Sequence, residues 1–146
     1  MPVPGPDGRV RRLMTVASLS TLADMMAEAG EPSDHLWESP EPWQVSEPVL
    51  ARWIEGAAEG LAGATLSATT LVEIDTVMID GWMPKAIRAR LVEATRAAFE
   101  RLDQSGITPP VIREGTVGPQ ARELGGAAIP LAQRFLVDQS AMLKAG

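Results

Sequence analysis

The stretch V-E-I-D-T-V-M-I-D-G-W-M-P, from Val72 to Pro84, contains the strongest indication of the fold. Its β-branched run predicts a strand, and the apolar part from Thr76 to Ile79 is typical of a strand buried in a parallel sheet. The dipeptide Asp80-Gly81 then predicts a turn, and a helix is predicted to start at Pro84. A turn of this kind either connects two elements or holds a phosphate group. This choice decides whether the sequence indicates an enzyme.

Helical patterns flank the strand on both sides. Before it, Ser46 can cap a helix whose apolar residues, from Val49 to Leu61, recur at i, i+3 and i+4. No charged residue occurs between Glu59 and Glu73, so we expect this helix to be buried. Its glycines would let another backbone approach closely (Gly56, Gly60, Gly63). After the strand, a second helix is predicted from Pro84 to about Asp103.

The remaining elements complete an alternating pattern. Ser18 or Ser20 can cap a short first helix that runs to about Ala29. Residues 110–117 predict a second strand, and a last helix with a proline kink is predicted from Pro119 to about Leu136. This order predicts a helix-rich α/β fold with few parallel strands flanked by helices. Two strands are few for a sheet, so either another copy of the chain completes it or the chain is part of a larger fold.

The length of 146 residues fits one domain with one modest core, so residues 1–146 are predicted to form a single domain. Residues 1–12 are rich in Pro and Gly and are expected to be an irregular arm. Residues 31–46 contain three prolines and predict a loop, which its two tryptophans (Trp37, Trp43) are expected to pin to a neighbouring surface. The α/β core is expected at residues 47–146.

Composition excludes several classes of function. The formal net charge of −6 disfavours nucleic acid as a partner of this chain, because phosphate binding needs a surplus of Lys and Arg on one face. The chain has no cysteine, which removes disulfides and thiolate zinc sites. No apolar run approaches the ~20 residues that cross a bilayer, and the N-terminus lacks the apolar core of a signal peptide. We therefore expect no membrane partner and a cytoplasmic location.

Three parts of the sequence resemble one known family. Residues 111–136 combine a strand, a short loop with a small residue and a helix bearing a Gly-Ala pair, at Gly125 to Ala128. Residues 72–84 follow a buried helix with an aliphatic strand and a glycine turn, and residues 11–22, R-R-L-M-T-V-A-S-L-S-T-L, resemble the piece after a zinc motif. From about Arg9 onward, the chain resembles the C-terminal part of the ROK family of repressors, sugar kinases and open reading frames. It is most similar to the transcriptional-regulator members.

This resemblance implies a fold and a function. The fold would be actin-like or ribonuclease-H-like, with this chain as its C-terminal part. The function would be that of a non-catalytic domain of a sugar-responsive transcriptional regulator, serving assembly and effector sensing in carbohydrate metabolism. The alternative is the C-terminal piece of an ATP-dependent sugar kinase. The implied partners are further copies of the chain in a homo-oligomer and, in the full-length parent, a sugar or sugar-phosphate effector.

Residues that the family uses for chemistry are missing from this sequence. A sugar kinase needs a carboxylate base, which the family carries in an Asn-Asp motif, and the chain contains no such dipeptide. The zinc motif is absent, and the family's sugar-binding glutamate corresponds to Met14, whose thioether is a poor acceptor for a sugar hydroxyl. The single histidine, His35, is interpreted as a loop residue, since a metal ligand would need partners. We therefore predict no catalytic residue, no metal site and no cofactor.

The remaining candidates are two glycine turns. Asp80-Gly81 corresponds to the family's glycine pair that faces the nucleotide in kinases, and Gly115 and Gly118 could form a second backbone cradle. We predict these four residues as degenerate nucleotide-site positions. A carboxylate repels phosphates, so the alternative is a structural turn, with Asp80 near the N-terminus of the following helix. The arginines of that helix are interpreted as a solvated face balanced by glutamates (Arg88, Arg90, Arg96, Arg101; Glu93, Glu100).

Overall fold

The computed structural model describes residues 1–4 and 9–118. In chain order, the elements there are β1 (Pro2–Pro4), β2 (Val10–Arg12), α1 (Leu19–Glu28), α2 (His35–Glu38), α3 (Glu47–Thr69), β3 (Thr76–Ile79), α4 (Lys85–Glu100) and β4 (Val111–Glu114). A 3-10 turn at Leu13–Thr15 follows β2. The described part of the chain is therefore a mixture of helices and two small sheets, one of which is parallel, as an α/β class requires.

Strands β3 and β4 form the parallel pair that the sequence predicts, with Thr76 opposite Val111. The bounds of β3 agree with the apolar run identified in the sequence. Parallel neighbours need a crossover connection, and α4 provides it. This helix begins directly after Pro84, as predicted, and ends at Glu100, shortly before its predicted end.

Helix α3 lies at the centre of the main hydrophobic core. It packs against α4 and α1, and its buried residues include Trp53 and Ala57. The indole N–H of Trp53 donates to the carbonyl oxygen of Ser18 at 3.1 Å, which ties α3 to the N-terminal end of α1. Of the two predicted cap residues, Ser18 and Ser20, Ser18 caps α1 by accepting the N–H of Thr21. The uncharged second half of α3 is buried from Ala62 to Thr65.

Gly60 marks the place where the N-terminal hairpin packs on α3. Strands β1 and β2 pair antiparallel, and Val3 on β1 is almost fully buried. A Cβ at Gly60 would lie 2.6 Å from Cγ2 of Val16, so side chains make the close approach here, whereas the sequence predicts the approach of another backbone. The sequence predicts an irregular arm for residues 1–12, whereas the described part of that segment contains this hairpin. Strands of three residues show no alternation to detect, and packing against α3 stabilises them.

The loop at residues 31–46 is held against the core at defined points. The indole N–H of Trp82 donates to the carbonyl oxygen of Leu36 at 2.9 Å. An oxygen of Glu41 accepts the N–H of Lys85 at 3.0 Å and so caps the first turn of α4. One turn of helix, α2, interrupts the loop, although its prolines predict no regular element. These contacts explain why the segment keeps a defined path.

The two tryptophans of the loop differ in environment. Trp43 packs against the main core, and its indole N–H donates to the carbonyl oxygen of Ser39 at 3.3 Å. Trp37 is 54% exposed. The prediction that tryptophans pin this loop is therefore confirmed for Trp43 and wrong for Trp37, because only the former faces the core.

The predicted last helix and the Gly-Ala pair at Gly125 to Ala128 lie outside the described residues. Among the helices of residues 1–4 and 9–118, none combines the length and the apolar character needed to cross a membrane.

Candidate functional site

The two predicted glycine turns lie side by side at the carboxyl edge of the parallel pair. Strand β3 ends at Ile79, directly before Asp80-Gly81, and β4 ends at Glu114, directly before Gly115. The N–H of Gly115 donates to the carbonyl oxygen of Ile79 at 2.8 Å and fixes the spacing of the turns. In α/β sheets, ligands bind outside the carboxyl ends of the strands. The position is therefore one at which a binding site is expected.

The side chain of Asp80 reaches from the first turn to the second. Its Oδ2 accepts the backbone N–H groups of Val117 and Gly118, both at 2.9 Å. Its Oδ1 accepts the N–H of Gly81 at 2.9 Å and Nη1–H of Arg88 at 3.0 Å. Each carboxylate oxygen thus accepts two hydrogen bonds. The structure brings all four predicted residues together, and the group that the second turn holds is the carboxylate of Asp80 itself.

Gly115 and Gly118 are glycines for different reasons. A Cβ at Gly115 would lie 2.5 Å from both Cβ and Oδ2 of Asp80, so a larger residue would displace the carboxylate. Gly118 has φ +61°, a left-handed conformation that glycine adopts at little cost. At Gly81, a Cβ would meet only Cε of Met83, at 3.3 Å, which is the flexible end of a side chain. The glycines of the second turn thus leave room for the carboxylate of Asp80, which belongs to the first turn.

Arg88 belongs to this site, and sequence reasoning missed it. The guanidinium bridges two carboxylates: Nη1 lies 3.0 Å from Oδ1 of Asp80, and Nε lies 3.2 Å from Oε2 of Glu114. Its side chain is 11% exposed, so the prediction that Arg88 belongs to a solvated face is wrong. The available signal was its helical spacing, because Leu91 and Val92, three and four residues later on α4, are buried.

The remaining arginines of α4 are exposed, as predicted, and they also form specific contacts. Arg90 pairs with Glu47 on α3. Arg96 lies 3.3 Å from Glu93 and donates through Nε to the carbonyl oxygen of Ile112 at 2.7 Å. These contacts attach α4 to α3 through Arg90 and to β4 through Arg96. Within residues 1–4 and 9–118, Arg88 is the one arginine of α4 that contacts Asp80.

The electrostatics of the site favour an ionised Asp80. The N–H of Gly118 is the largest cause that lowers the pKa of this carboxyl, followed by the N–H groups of Gly81 and Val117 and by the charge of Arg88. Desolvation opposes the shift without reversing it. Adjacent backbone N–H groups of this type form the concavities that bind anions. Here the anion is a carboxylate of the same chain, so an external phosphate would have to displace it.

The structural alternative for Asp80 is correct in its main point and incomplete in its detail. The residue does sit in a strand-to-helix turn, but it does not cap α4, because Glu41 accepts the N–H of Lys85. Its carboxylate instead joins the ends of β3 and β4 through Val117 and Gly118. The contact therefore stabilises the carboxyl edge of the sheet.

Two further residues considered in the sequence lie on other elements. His35 is in α2, where its Nε2 accepts the N–H of Gln44 at 3.1 Å, and Met14 lies in the 3-10 turn with 80% exposure. Within residues 1–4 and 9–118, no group of three or more His, Cys, Asp or Glu side chains is arranged to hold a metal ion.

Comparison with known proteins adds no family: the sequence matches no model of a protein family and no curated protein.

Proposed function

We propose that this chain is a non-catalytic domain of a ROK-type, sugar-responsive transcriptional regulator, corresponding to the C-terminal part of an actin-like or ribonuclease-H-like fold. The domain serves assembly and effector sensing in the cytoplasm, with a sugar or sugar phosphate as effector of the full-length parent. The observation that carries the proposal is the Asp80 carboxylate, which occupies the backbone N–H groups of Val117 and Gly118.

The order of elements supports the proposed fold. The buried helix α3, the aliphatic strand β3 and a glycine turn follow one another as in the family pattern, and β4 leads into the second glycine turn. Parallel sheets are covered on both faces in α/β proteins, yet Met78 on β3 and Val111 on β4 are 61% and 60% exposed. Thr76 pairs with Val111 and lies two residues from Met78, which places all three on one face. Within residues 1–4 and 9–118 this face is open, as is expected of a fragment of a larger sheet.

The occupied N–H groups support a non-catalytic role. Phosphoryl transfer depends on open backbone donors and cations that neutralise the nucleotide phosphates. At this site, Asp80 uses the donors of Val117 and Gly118 and also the charge of Arg88. A phosphate at the same place would bring like charges close together in a partly buried environment. Nucleotide binding is therefore expected to be lost.

The alternative, a C-terminal piece of an ATP-dependent sugar kinase, is favoured by one observation. Both glycine turns lie at the carboxyl edge of parallel strands, where α/β proteins bind ligands, and the cation of Arg88 lies beside them. Under this alternative, Asp80 would leave the second turn when a nucleotide arrives.

Isothermal titration calorimetry with Mg-ATP separates the two functions. We expect no saturable heat from the wild-type chain at millimolar nucleotide, because the amide pair is occupied. The Asp80→Gly variant removes the competing carboxylate, and Gly81→Ala serves as the control in the same turn. Saturable binding of Mg-ATP by the wild-type chain would overturn the proposal and support the kinase alternative.

A further inference from the structure

An open groove of about 560 Å³ runs between helices α3 and α4. Buried alanines, Ala58 and Ala98, lie along its floor, and exposed alanines, Ala51 and Ala97, lie on its two walls. A narrower continuation of about 160 Å³ shares Ala98 with it and extends to Leu102. Because these side chains are small, the groove can admit a close approach by other helices.

The walls of the narrow part carry opposite charges. Glu59 lies on the α3 wall and Arg101 on the α4 wall. Among residues 1–4 and 9–118, Glu59 forms no side-chain ion pair, and Arg101 donates to the carbonyl oxygen of Ala97 at 3.2 Å and to no carboxylate. At the other end of the groove, Arg90 and Glu47 do pair across the two helices. Glu55, on the α3 wall of the wider part, likewise forms no side-chain ion pair with a described residue. The α3 wall thus carries two acids, and the α4 wall one base, with no charged partner in the described chain.

We propose that this groove is the contact surface with a second copy of the chain. A twofold axis parallel to the helices places α3 of one protomer opposite α4 of the other and keeps the residues at the same height. Glu59 of each protomer then faces Arg101 of the partner subunit, so these residues form two equivalent ion pairs across the axis. The alanine-lined floor lets the four helices approach to about 8 Å between axes.

The charge pattern selects both the occupant and the axis. An axis perpendicular to the helices would place α3 opposite α3 and bring acidic walls together, which like charges oppose. On the α4 wall, Glu93 is already paired with Arg96, so Arg101 is the charge left to face the acidic α3 wall of a second copy. This groove would be the surface through which the chain assembles in the proposed function. The inference rests on the proposed function in that respect only.

The size of the surface predicts a weak dimer. Helix α4 has 16 residues, so two neighbouring helices offer a face of roughly 24 by 20 Å, or about 500 Å² per protomer. Stable interfaces bury about 800 Å² per partner. We therefore expect dissociation constants of tens of micromolar or more, with the charge pairs deciding orientation.

Sedimentation equilibrium of the full chain tests the interface. Glu59→Arg and Arg101→Glu are each expected to weaken self-association roughly tenfold or more, since every substitution is present twice in the dimer. An equimolar mixture of the two variants should recover near-wild-type association. In that heterodimer, one native pair and one reversed pair both attract. Glu73→Arg, a reversal at an exposed residue outside the groove, should behave as wild type.

Three results would overturn the inference: a wild-type chain that stays monomeric up to about 1 mM, a mixture that does not recover association, or stronger association of Glu59→Arg alone. Circular dichroism of each variant establishes that it is folded, and recovery in the mixture does so independently. A failure of this interface is distinguishable from a failure of the proposed function. The proposed function is tested by Mg-ATP binding, which is a separate measurement at a different site.

Discussion

Replacement of Asp80 by alanine is expected to reduce the free energy of unfolding by about 3 kcal/mol. The carboxylate accepts three backbone N–H bonds and one from Arg88. A hydrogen bond to a charged group contributes about 1.5–3 kcal/mol to stability. Four independent bonds would therefore contribute more than the expected loss of about 3 kcal/mol. The Asp80 side chain is 23% exposed, and water can replace part of what is lost. The bonds also share one acceptor group and do not add.

Asparagine at position 80 is expected to have about half this effect. Its amide keeps the shape of the carboxylate and one acceptor oxygen, but its NH₂ group would face either the two N–H groups of Val117 and Gly118 or those of Gly81 and Arg88. Two donors then lose their acceptor in either orientation, which costs about 1–2 kcal/mol. The Asn variant thus separates the charge and acceptor contributions from the packing of the side chain.

Urea denaturation at pH 7, followed by tryptophan fluorescence, measures these differences. A matched test uses Gly115→Ala, because the added Cβ would lie 2.5 Å from the Asp80 side chain. Gly115→Ala should be strongly destabilising in the wild type and nearly neutral in the Asp80→Gly background. A loss below about 0.5 kcal/mol for Asp80→Ala, within the range of ordinary surface substitutions, would refute the reasoning. Additivity of Gly115→Ala and Asp80→Gly would refute it as well.

The same site predicts a pH dependence. The hydrogen bonds and the charge of Arg88 lower the pKa of Asp80 in the folded chain. A lowered folded-state pKa contributes stability above the unfolded value of about 3.9, and this stability is lost as pH falls through the folded value. The difference in unfolding free energy between wild type and Asp80→Asn should therefore be constant from pH 7 to about 5 and decrease below about 4. An unchanged difference at pH 2.5 would contradict this assignment.

Three other substitutions test the packing around the site. Gly60→Ala should lower the free energy of unfolding by about 1–3 kcal/mol, because its Cβ would lie 2.6 Å from Val16. This loss outweighs the better helix propensity of alanine. In thermal melts, Val16→Ala in the same chain should recover much of the lost stability. Trp82→Phe removes one indole N–H bond to the α2 carbonyl and should cost about 1 kcal/mol in urea denaturation, without changing the m-value. Glu41→Gln weakens the cap at Lys85 and should lower the melting temperature by a few degrees, an effect that high salt should reduce.

Much of the fold is predictable because the relevant signals are local. Ser18 caps α1, the run from Thr76 to Ile79 forms β3, and Pro84 precedes α4, each as the sequence predicts. Capping, strand propensity and proline geometry act over a few residues and need no tertiary partner to be detected. The β1–β2 hairpin is different, because its strands are short and it is stabilised by packing of Val3 in a small core over α3. No local pattern of residues 1–12 reveals the surface of α3 on which the hairpin packs.

The two glycine turns of the candidate site are predictable from the sequence, but Arg88 and the chemistry of the site are not. The sequence singled out both glycine turns, and parallel pairing places them at one edge. For Arg88 the sequence predicts a solvated face, since a charged residue on a helix is usually exposed. Its low exposure depends on carboxylates from two other segments, at Asp80 and Glu114. A sequence pattern of one helix cannot show which distant groups will neutralise a buried charge.

The sequence by itself determined the alternation of helices and strands, the parallel pair and the positions of its two terminal turns. Only the tertiary structure decided what those turns do. Asp80 and Gly118 are separated by 38 residues, and the oxygen of one accepts the N–H of the other at 2.9 Å. A carboxylate near a pair of backbone N–H groups can either repel an incoming phosphate or accept those N–H groups itself. The same residues are compatible with both arrangements. The distance between the strand ends decides between them, because a hydrogen bond forms only at contact range.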